Sequence, residues 1–333
     1  MLSRVANNLY WMGRYLERSE HLARYTKVQY FSLYDAPHLQ SIDFVLSSIV
    51  NMTGIDYDIS ETPIDEQDVI HEVGLARSNY SIFSYVLAAR ENARSARNVL
   101  SDELWEVINQ YYRFVQEYDP DYFKVRGLFE FTYEVNKHCQ IIKSTISHTM
   151  LHKLSWMIIS LGIYLERTVQ LLRTLQSKLT DIKFLTMDEP NTVLERYQWT
   201  TALKIMEAFD IYRRFIKRQN SKATPVDFLI WDKTFPRSVL YSLSKVDELI
   251  TAISAHEGGH GDIRFHSGKL HTKVRYSTKE ETQHLSDYLN SLLDEVSILH
   301  QLIDRGIFHN TEEMEEDSQE GVQVQLQSQD HQA

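Results

Sequence analysis

The sequence predicts an all-α fold, a multi-helix bundle formed by internal duplication of one helical unit. Glycine and proline are scarce, at 11 and 6 of 333 residues. A sheet-rich fold needs many such turn-forming residues, so their scarcity favours long helices. The opening stretch has the period of an amphipathic helix, and part of it recurs later in the chain. The length is sufficient for a large core, in one helical domain or in two smaller ones.

The opening helix, predicted over 3–34, carries two different faces. The apolar face consists of Val5, Leu9, Met12, Leu16 and Ala23. The second face interleaves cations with aromatic rings, and it consists of Arg4, Asn8, Trp11, Arg14, Tyr15, Arg18 and His21, with Glu17 between the two faces. This face is too charged for a core stripe and too aromatic for a plain solvated surface, so it is a candidate functional surface.

The remaining elements are placed by the few prolines and glycines and by helix-capping residues. We predict helices over 39–52, from 65, over 78–98, from 101, and over 121–178, 191–218, 225–231, 237–254 and 278–304. The proline-free 121–178 segment is long enough for two helices with a bend near Gly127, and the glycine- and histidine-rich 256–273 segment is predicted to be a loop. The acidic and glutamine-rich 311–333 tail has too little apolar surface to fold, which leaves one helical domain at 1–310.

A second group of candidate residues lies in the predicted helix over 78–98. Arg90, Arg94 and Arg97 are spaced i, i+4 and i+7 and form one basic face, flanked by Glu91 and Asn92. Three guanidinium groups in this arrangement could hold a carboxylate- or phosphate-bearing substrate. They could equally neutralise glutamates that come from other helices in an interior ion-pair network that fixes helix register.

The opening stretch recurs after an offset of 149 residues, which aligns Gly13 with Gly162. Seven of the sixteen positions from Leu9 to Arg24 are identical, including a contiguous Gly-x-Tyr-Leu-Glu-Arg. Two amphipathic helices could match this well by chance, but the shared glycine is a scarce residue in this chain, which favours a duplication. The repeat predicts two halves, at about 1–120 and 121–310, that pack as a pseudo-symmetric bundle.

The repeated Glu-Arg pairs, Glu17-Arg18 and Glu166-Arg167, predict a specific contact. Adjacent residues point about 100° apart on a helix, so neither glutamate pairs well with the arginine that follows it. Glu166 also has no cation at its i±3 or i±4 positions. We therefore expect crossed pairs, Glu166 with Arg18 and Glu17 with Arg167, and we expect Arg90 or Arg94 to cap this network.

Four stretches of the chain resemble the bacterial Alpha-E domain family, which is named for its helical fold and its Glu-Arg motif, here Glu17-Arg18. The stretches are LYWMGRYLERSEHLAR in the opening helix, AARENARSARNVLSDELWEVIN (88–109), LGIYLERT (161–168) and FLIWDKTFPRSVLYSL (228–243). The resemblance implies, by association, that the chain acts with circularly permuted ATP-grasp ligases and transglutaminase-like proteins. Such a system would make or modify peptides through amide bonds.

The charge distribution argues against nucleic acid as a partner. The formal charge is −11, but seven acidic residues and no lysine or arginine lie from Glu312 onward, so the rest of the chain carries about −4. The arginines alternate with glutamates instead of forming a basic patch. The most apolar run, 157–165, is too short to span a membrane. The chain opens with a charged helix instead of a signal peptide, and its single cysteine, Cys139, is expected to be buried and inert, so we expect a cytoplasmic protein.

One motif suggests a metal, since His256-Glu257-Gly258-Gly259-His260 matches the H-E-x-x-H pattern of zinc hydrolases. That site needs both histidines on one helix face, and two glycines cost about 2 kcal/mol of helix propensity, so we predict no metal here. A loop site that also uses His266 and His271 stays open as an alternative. The paired His148 and His152 lack a suitable carboxylate nearby. The chain has no phosphate-binding loop, dinucleotide turn, nucleophile elbow or Cys-x-x-Cys, so we predict no cofactor.

These observations leave three functional hypotheses. In the first, which we adopt, the chain is a helical partner or scaffold subunit of an ATP-grasp-type ligase, and its polar face binds the partner or a peptide-like substrate. In the second, it is itself an enzyme with Glu17 or Glu166 as general base and the arginines holding an anionic substrate. In the third, it is purely a structural helical protein.

Overall fold

The computed structural model describes residues 2–35, 40–54, 65–123, 127–187, 190–220, 222–277 and 284–308, and these ranges contain helices and no β-strand. The all-α prediction is therefore confirmed. The helices are α1 (Ser3–Asp35), α2 (Ile42–Thr53), α3 (Glu66–Gly74), α4 (Ile82–Ser95), α5 (Asp102–Gln116), α6 (Pro120–Tyr122), α7 (Leu128–Thr149), α8 (Leu154–Leu185), α9 (Thr192–Ile205), α10 (Phe209–Ile211), α11 (Lys217–Gln219), α12 (Pro225–Trp231), α13 (Val239–Glu257), α14 (Gly261–Tyr276) and α15 (Leu285–Ile303).

Within the described ranges, short segments of other helical geometry include a 3₁₀ turn at Arg97–Val99 and π-helical turns at Tyr212–Ile216 and Asp304–Phe308. Across the described ranges, no helix has both the length and the apolar character to cross a bilayer. The predicted start of the last helix at residue 278 and the predicted disordered tail at 311–333 lie outside the described residues.

Several predicted boundaries need correction. The 121–178 segment does contain two long helices, but they are separated at residues 150–153, where Met150 and Lys153 adopt extended backbone, and not by a bend near Gly127. Gly127 instead directly precedes α7, with an ordinary right-handed backbone conformation. The predicted helix over 191–218 is interrupted after α9, where Glu207 has a φ of 53°.

The predicted loop at 256–273 is wrong, because most of it is the helix α14. The turn before α14 is short, and Gly258, Gly259 and His260 all have positive φ there, at 79°, 78° and 61°. The helix then buries Ile263, Ser267, Leu270 and Val274, a spacing that places one stripe against the core. Packing against α13 and α15 therefore outweighs the weak helical pattern of this glycine- and histidine-rich sequence.

The two long helices α1 and α8 form the centre of the molecule. α1 packs against α8, α4, α7, α2 and α9, and α8 packs in addition against α13 and α15. The whole predicted apolar stripe of α1 is buried. The repeated Glu-Arg stretches therefore lie at the centre of the fold, on the two helices that most other helices surround.

The axes of α1 and α8 approach closely because each helix has a glycine at the crossing. A Cβ atom on Gly13 would lie 2.4 Å from the carbonyl oxygen of Ile159, and one on Gly162 would lie 2.2 Å from the carbonyl oxygen of Tyr10. The 149-residue offset relates Gly13 to Gly162 and Tyr10 to Ile159, so the two contacts are equivalent. The helices thus cross with local pseudo-two-fold symmetry. The duplication itself, and the division into halves near residue 120, stay predictions.

Candidate functional site

The carboxylate of Glu166 lies in the interior at this crossing, with none of its residue surface exposed. Arg14 donates from Nε to Oε2 at 2.7 Å, and Arg18 donates from Nε to Oε1 at 2.7 Å and from Nη2 to Oε2 at 3.0 Å. Gln170, one turn along α8, donates to Oε1 at 2.6 Å. Glu166 is therefore held by two arginines of the other helix and an amide of its own.

Glu17 has the reciprocal arrangement and is only 1% exposed. Arg167 donates from Nε to Oε1 at 2.8 Å and from Nη2 to Oε2 at 3.1 Å. Lys143 of α7 donates to the same carboxylate. The predicted crossed pairs, Glu166 with Arg18 and Glu17 with Arg167, are thus present, and they join α1 to α8 about one helical turn after the two glycines.

The prediction that Arg90 or Arg94 caps this network is wrong. Arg90 donates to Glu91 and to Asn109, and its guanidinium lies 4.6 Å from the centre of the Tyr112 ring. Arg94 pairs with Glu91 at 2.5 Å and is largely exposed. Neighbouring groups on α4 and α5 therefore neutralise these arginines locally, and Arg14 and Lys143 take the capping positions.

The remaining two members of the second candidate group also make local contacts. Arg97 binds Asp102 and donates to the carbonyl oxygen of Leu100 at 3.2 Å. Asn92 donates to the carbonyl oxygen of Ala88, one turn earlier in α4, at 2.8 Å. The structure therefore does not bring the basic face of α4 together with the Glu-Arg pairs.

Aromatic rings cover the outer side of the Glu166 cluster. The guanidinium of Arg14 lies 4.7 Å from the centre of the Trp11 ring, and that of Arg18 lies 5.4 Å from the centre of the Tyr85 ring. Such contacts stabilise a cation whose hydration is reduced by burial. Of the other predicted members of this face, Asn8 is half-buried and Arg4 is exposed at the start of α1. The aromatic residues thus explain the unusual composition of this face.

A third buried carboxylate, Glu20, was missed by the sequence analysis. Arg24 donates to its Oε1 at 2.6 Å, Arg237 donates to the same oxygen at 3.3 Å, and Lys143 binds the other oxygen. The i, i+4 spacing of Glu20 and Arg24 on α1 could have revealed the first of these pairs. Lys143 and Arg237 come from α7 and from the residues just before α13, so no local spacing could have revealed them.

His21 is a further buried member of this cluster. Its Nδ1 lies 3.5 Å from Nη2 of Arg24, which can only donate, so Nδ1 accepts and the protonated Nε2 donates to Oγ1 of Thr174 at 2.9 Å. Burial, followed by the charge of Arg24, lowers the pKa of His21 to about 3. His21 is therefore a neutral hydrogen-bonding residue at neutral pH.

The buried charges favour ionised carboxylates. Burial opposes ionisation of Glu20, but Lys143 and Arg24 outweigh it and lower the pKa to about 2. Arg167 and Lys143 likewise hold the pKa of Glu17 well below its usual range, and Arg18 and Arg14 do so for Glu166. In contrast, burial and the neighbouring Arg24 lower the pKa of Arg237 to about 9. The guanidinium of Arg237 thus loses more from burial and from the neighbouring Arg24 than it gains from Glu20 and Glu17.

We expect the stability of the protein to fall as soon as the pH drops below about 6.5. The folded-state pKa of His21 is depressed, so the unfolded chain takes up a proton first, and the lost stability grows by about 1.4 kcal/mol per pH unit toward pH 3. Glu20 adds a second loss, between its ordinary value of 4.5 and about 2. Urea unfolding at a series of pH values between 7.5 and 3 measures this dependence.

The matched variants for this titration are His21→Gln and His256→Gln. The first should weaken the pH dependence between 6.5 and 5, whereas the second, at an exposed residue, should leave it unchanged. A free energy of unfolding that stays constant from pH 6.5 to 5 in the unmodified protein would contradict the assigned state of His21.

The remaining candidate residues do not form a metal centre within the described ranges, where no three potential His, Cys, Asp or Glu ligands lie together. His256 lies in the last turn of α13, and His260 follows the two glycines of the turn. His148 lies 2.6 Å from the carbonyl oxygen of Ser144, and His152 stacks on Trp156. Cys139 is buried as predicted, and burial raises its pKa to about 12.

Comparison with known proteins is consistent with this geometry. The model of the Alpha-E family, described as a predicted alpha-helical domain with a conserved ER motif, matches residues 1–308. An uncharacterized protein of Mycobacterium bovis and two of Mycobacterium tuberculosis are each 24% identical over 304 residues, which cover 85% of this chain and 33% of each relative. The chain thus spans about a third of the length of these relatives. No solved structure matches the chain.

Proposed function

Because the chain belongs to the Alpha-E family, we propose that it is a partner or scaffold subunit of an ATP-grasp-type system that makes or modifies peptides through amide bonds. The association with such ligases comes from the four stretches of the chain that resemble the family. The buried ion pairs supply the physical argument for a scaffold instead of a catalyst.

The observation that carries the proposal is the burial and full pairing of the Glu-Arg residues. A general base must reach the proton that it abstracts, and its pKa should lie near the working pH. Glu17 and Glu166 are at most 1% exposed, each accepts hydrogen bonds from two cationic side chains, and both have depressed pKa values. Their arrangement is suited to fixing the register of α1 against α8 and not to proton transfer.

The relatives give a second argument. The region that matches this chain makes up only 33% of each mycobacterial relative, so two thirds of their length lies outside it. A helical unit that occurs alongside so much additional protein is suited to act with a second unit. The carboxylates of the Glu-Arg pairs are buried and paired, so they offer no accessible base, and the outer helices provide a surface for that unit.

The test is to express the chain with an ATP-grasp-type ligase from the same genome and to measure complex formation and amide-bond formation. We expect the two proteins to elute together in size-exclusion chromatography and the ligase rate to depend on the chain. Glu17→Gln should lower the melting temperature because it leaves the buried Arg167 without its anion, whereas Lys143 keeps Glu20. Below that temperature, the complex containing this variant should keep its rate.

Leu172→Ala is the matched control, since it truncates a fully buried residue of α8 outside the ion-pair network. Rates of the two variants are compared at equal fractions of folded protein. The proposal would be overturned if the isolated chain turned over a peptide-like substrate and lost this activity with Glu17→Gln but not with Leu172→Ala. Separate elution of the chain and the ligase at all tested concentrations would also overturn it.

A further inference from the structure

A cleft of about 520 Å³ lies between α2 and α8, on residues that the Glu-Arg network does not use. This volume is within the range of small-molecule sites. The α2 side is formed by the N-cap and one face of the helix, with Ser41, Asp43, Phe44, Ser47, Ser48 and Asn51. The α8 side is formed by Thr180, Asp181 and Phe184. Carboxylate, hydroxyl, amide and aromatic groups thus surround one small volume.

One wall of the cleft is aromatic. The rings of Phe44 and Phe184 stack with their centres 5.8 Å apart and their planes 15° from parallel. Phe44 is buried, whereas Phe184 is 61% exposed even though it is a large apolar residue. An exposed ring that is supported from behind by a buried ring offers a fixed π face to a ligand.

The cleft is also lined by a buried carboxylate, that of Asp181. Asp181 is 4% exposed, and its Oδ2 accepts from Nζ of Lys178 at 2.5 Å and from Oγ of Ser48 at 2.9 Å. Lys178 is itself fully buried and also donates to Gln29 at 2.6 Å. These contacts fix the orientation of the carboxylate. Its other oxygen, Oδ1, accepts no hydrogen bond from the residues that the structure describes, and Asp181 lines the cleft.

The charges of the cleft determine what it would bind. Lys178 neutralises Asp181, and the second carboxylate of the cleft, Asp43, makes no ion pair with any described residue and is exposed at the rim. The cleft therefore carries one net negative charge in addition to the unused acceptor Oδ1. An anionic ligand would be repelled by Asp43, whereas a cation gains both this charge and the aromatic face.

We propose that the cleft between α2 and α8 binds a primary ammonium group on an aliphatic stem. In this arrangement the ammonium donates to Oδ1 of Asp181 and is balanced by Asp43, while the stem lies against the ring of Phe184. An ammonium has three donors, and the side-chain oxygens of Asn51 and Thr180 are additional acceptors in the same lining. The site is separate from the proposed ligase partnership and does not depend on it.

The experiment is isothermal titration of the full-length protein with 1,5-diaminopentane, an aliphatic diamine, and with 1,5-pentanediol, its neutral analogue of equal length. We expect saturable binding of the diamine and none of the diol. Asp43→Asn and Phe184→Ala, both at exposed residues, should each weaken diamine binding by about fivefold to tenfold without unfolding the protein. Asp294→Asn, which removes an exposed carboxylate of α15, is the matched control and should not change the affinity.

Three results would overturn the proposal. One is the absence of saturable diamine binding to the unmodified protein. Another is equal binding of the diol, which would remove the role of the charge. The third is equal weakening by Asp294→Asn and Asp43→Asn, which would mean that the diamine responds only to the net charge of the protein. Circular dichroism spectra of all variants identify any that fail to fold, and the remaining exposed-residue variant then decides the outcome.

Discussion

Replacing Arg18 with methionine should lower the free energy of unfolding by about 3 to 5 kcal/mol. The substitution keeps an apolar stem of similar length but removes both hydrogen bonds that Arg18 donates to the buried carboxylate of Glu166. Arg14 and Gln170 remain, yet they reach Oε2 and Oε1 from fixed positions and do not replace the lost charge. Urea unfolding monitored by circular dichroism measures the loss.

The control is Arg94→Met, which removes an arginine from an i, i+3 pair with Glu91 whose Arg94 side chain is 65% exposed. A solvent-exposed pair is worth under about 1 kcal/mol, so this variant should unfold almost as the unmodified protein does. Adding Glu166→Gln to Arg18→Met should deepen the loss, because it leaves the buried guanidinium of Arg14 without its anion. Equal losses for Arg18→Met and Arg94→Met would show that the crossed pair does not hold the helices together.

Placing a methyl group at the helix crossing should also lower the free energy of unfolding by several kcal/mol, about 3 kcal/mol for each glycine. In Gly162→Ala the new Cβ would lie 2.2 Å from the carbonyl oxygen of Tyr10, and in Gly13→Ala it would lie 2.4 Å from that of Ile159. Both obstacles are backbone atoms of the facing helix, so the helices must separate, and the crossed ion pairs one turn away must lengthen. We expect each variant to lose about 3 kcal/mol or to fail to fold.

Gly268→Ala provides the matched control for these glycines. Gly268 lies inside α14, where a Cβ would meet nothing closer than a carboxylate oxygen of Asp247 at 3.8 Å. Alanine has the higher helix propensity, so this variant should gain up to about 1 kcal/mol. The pseudo-symmetry adds a further expectation, which is that Gly13→Ala and Gly162→Ala have similar effects. A melting temperature unchanged by either substitution would contradict the close approach of α1 and α8.

The sequence was sufficient for the fold class and for one non-local contact. Scarce glycine and proline together with helical periodicity predicted the all-α fold, because these signals are local. Glu166 has no cation within reach on its own helix, and the repeat of Gly-x-Tyr-Leu-Glu-Arg indicated which helix would provide one. The crossed pairing could therefore be predicted, since a repeated motif carries information about symmetry as well as about local structure.

The same periodicity did not identify the other members of the network. It placed Arg90, Arg94 and Arg97 on one face. It could not show that these arginines pair with Glu91 and Asp102 instead of with the carboxylates at the α1–α8 crossing. The spacing of residues on one helix defines a face and leaves open which helix packs against that face. For this reason the sequence also gave no indication of Lys143 or Arg237 beside Glu20.

Periodicity and the repeat therefore suffice to predict the helical class, the apolar face of α1 and the crossed Glu-Arg pairs. The packing of the helices sets the rest. It makes α14 a helix, brings six cations around Glu17, Glu20 and Glu166, and places Asp181 in a cleft beside Phe184. The physical reason is that burial and electrostatic neutralisation depend on the distances between helices, and residues far apart in sequence set those distances.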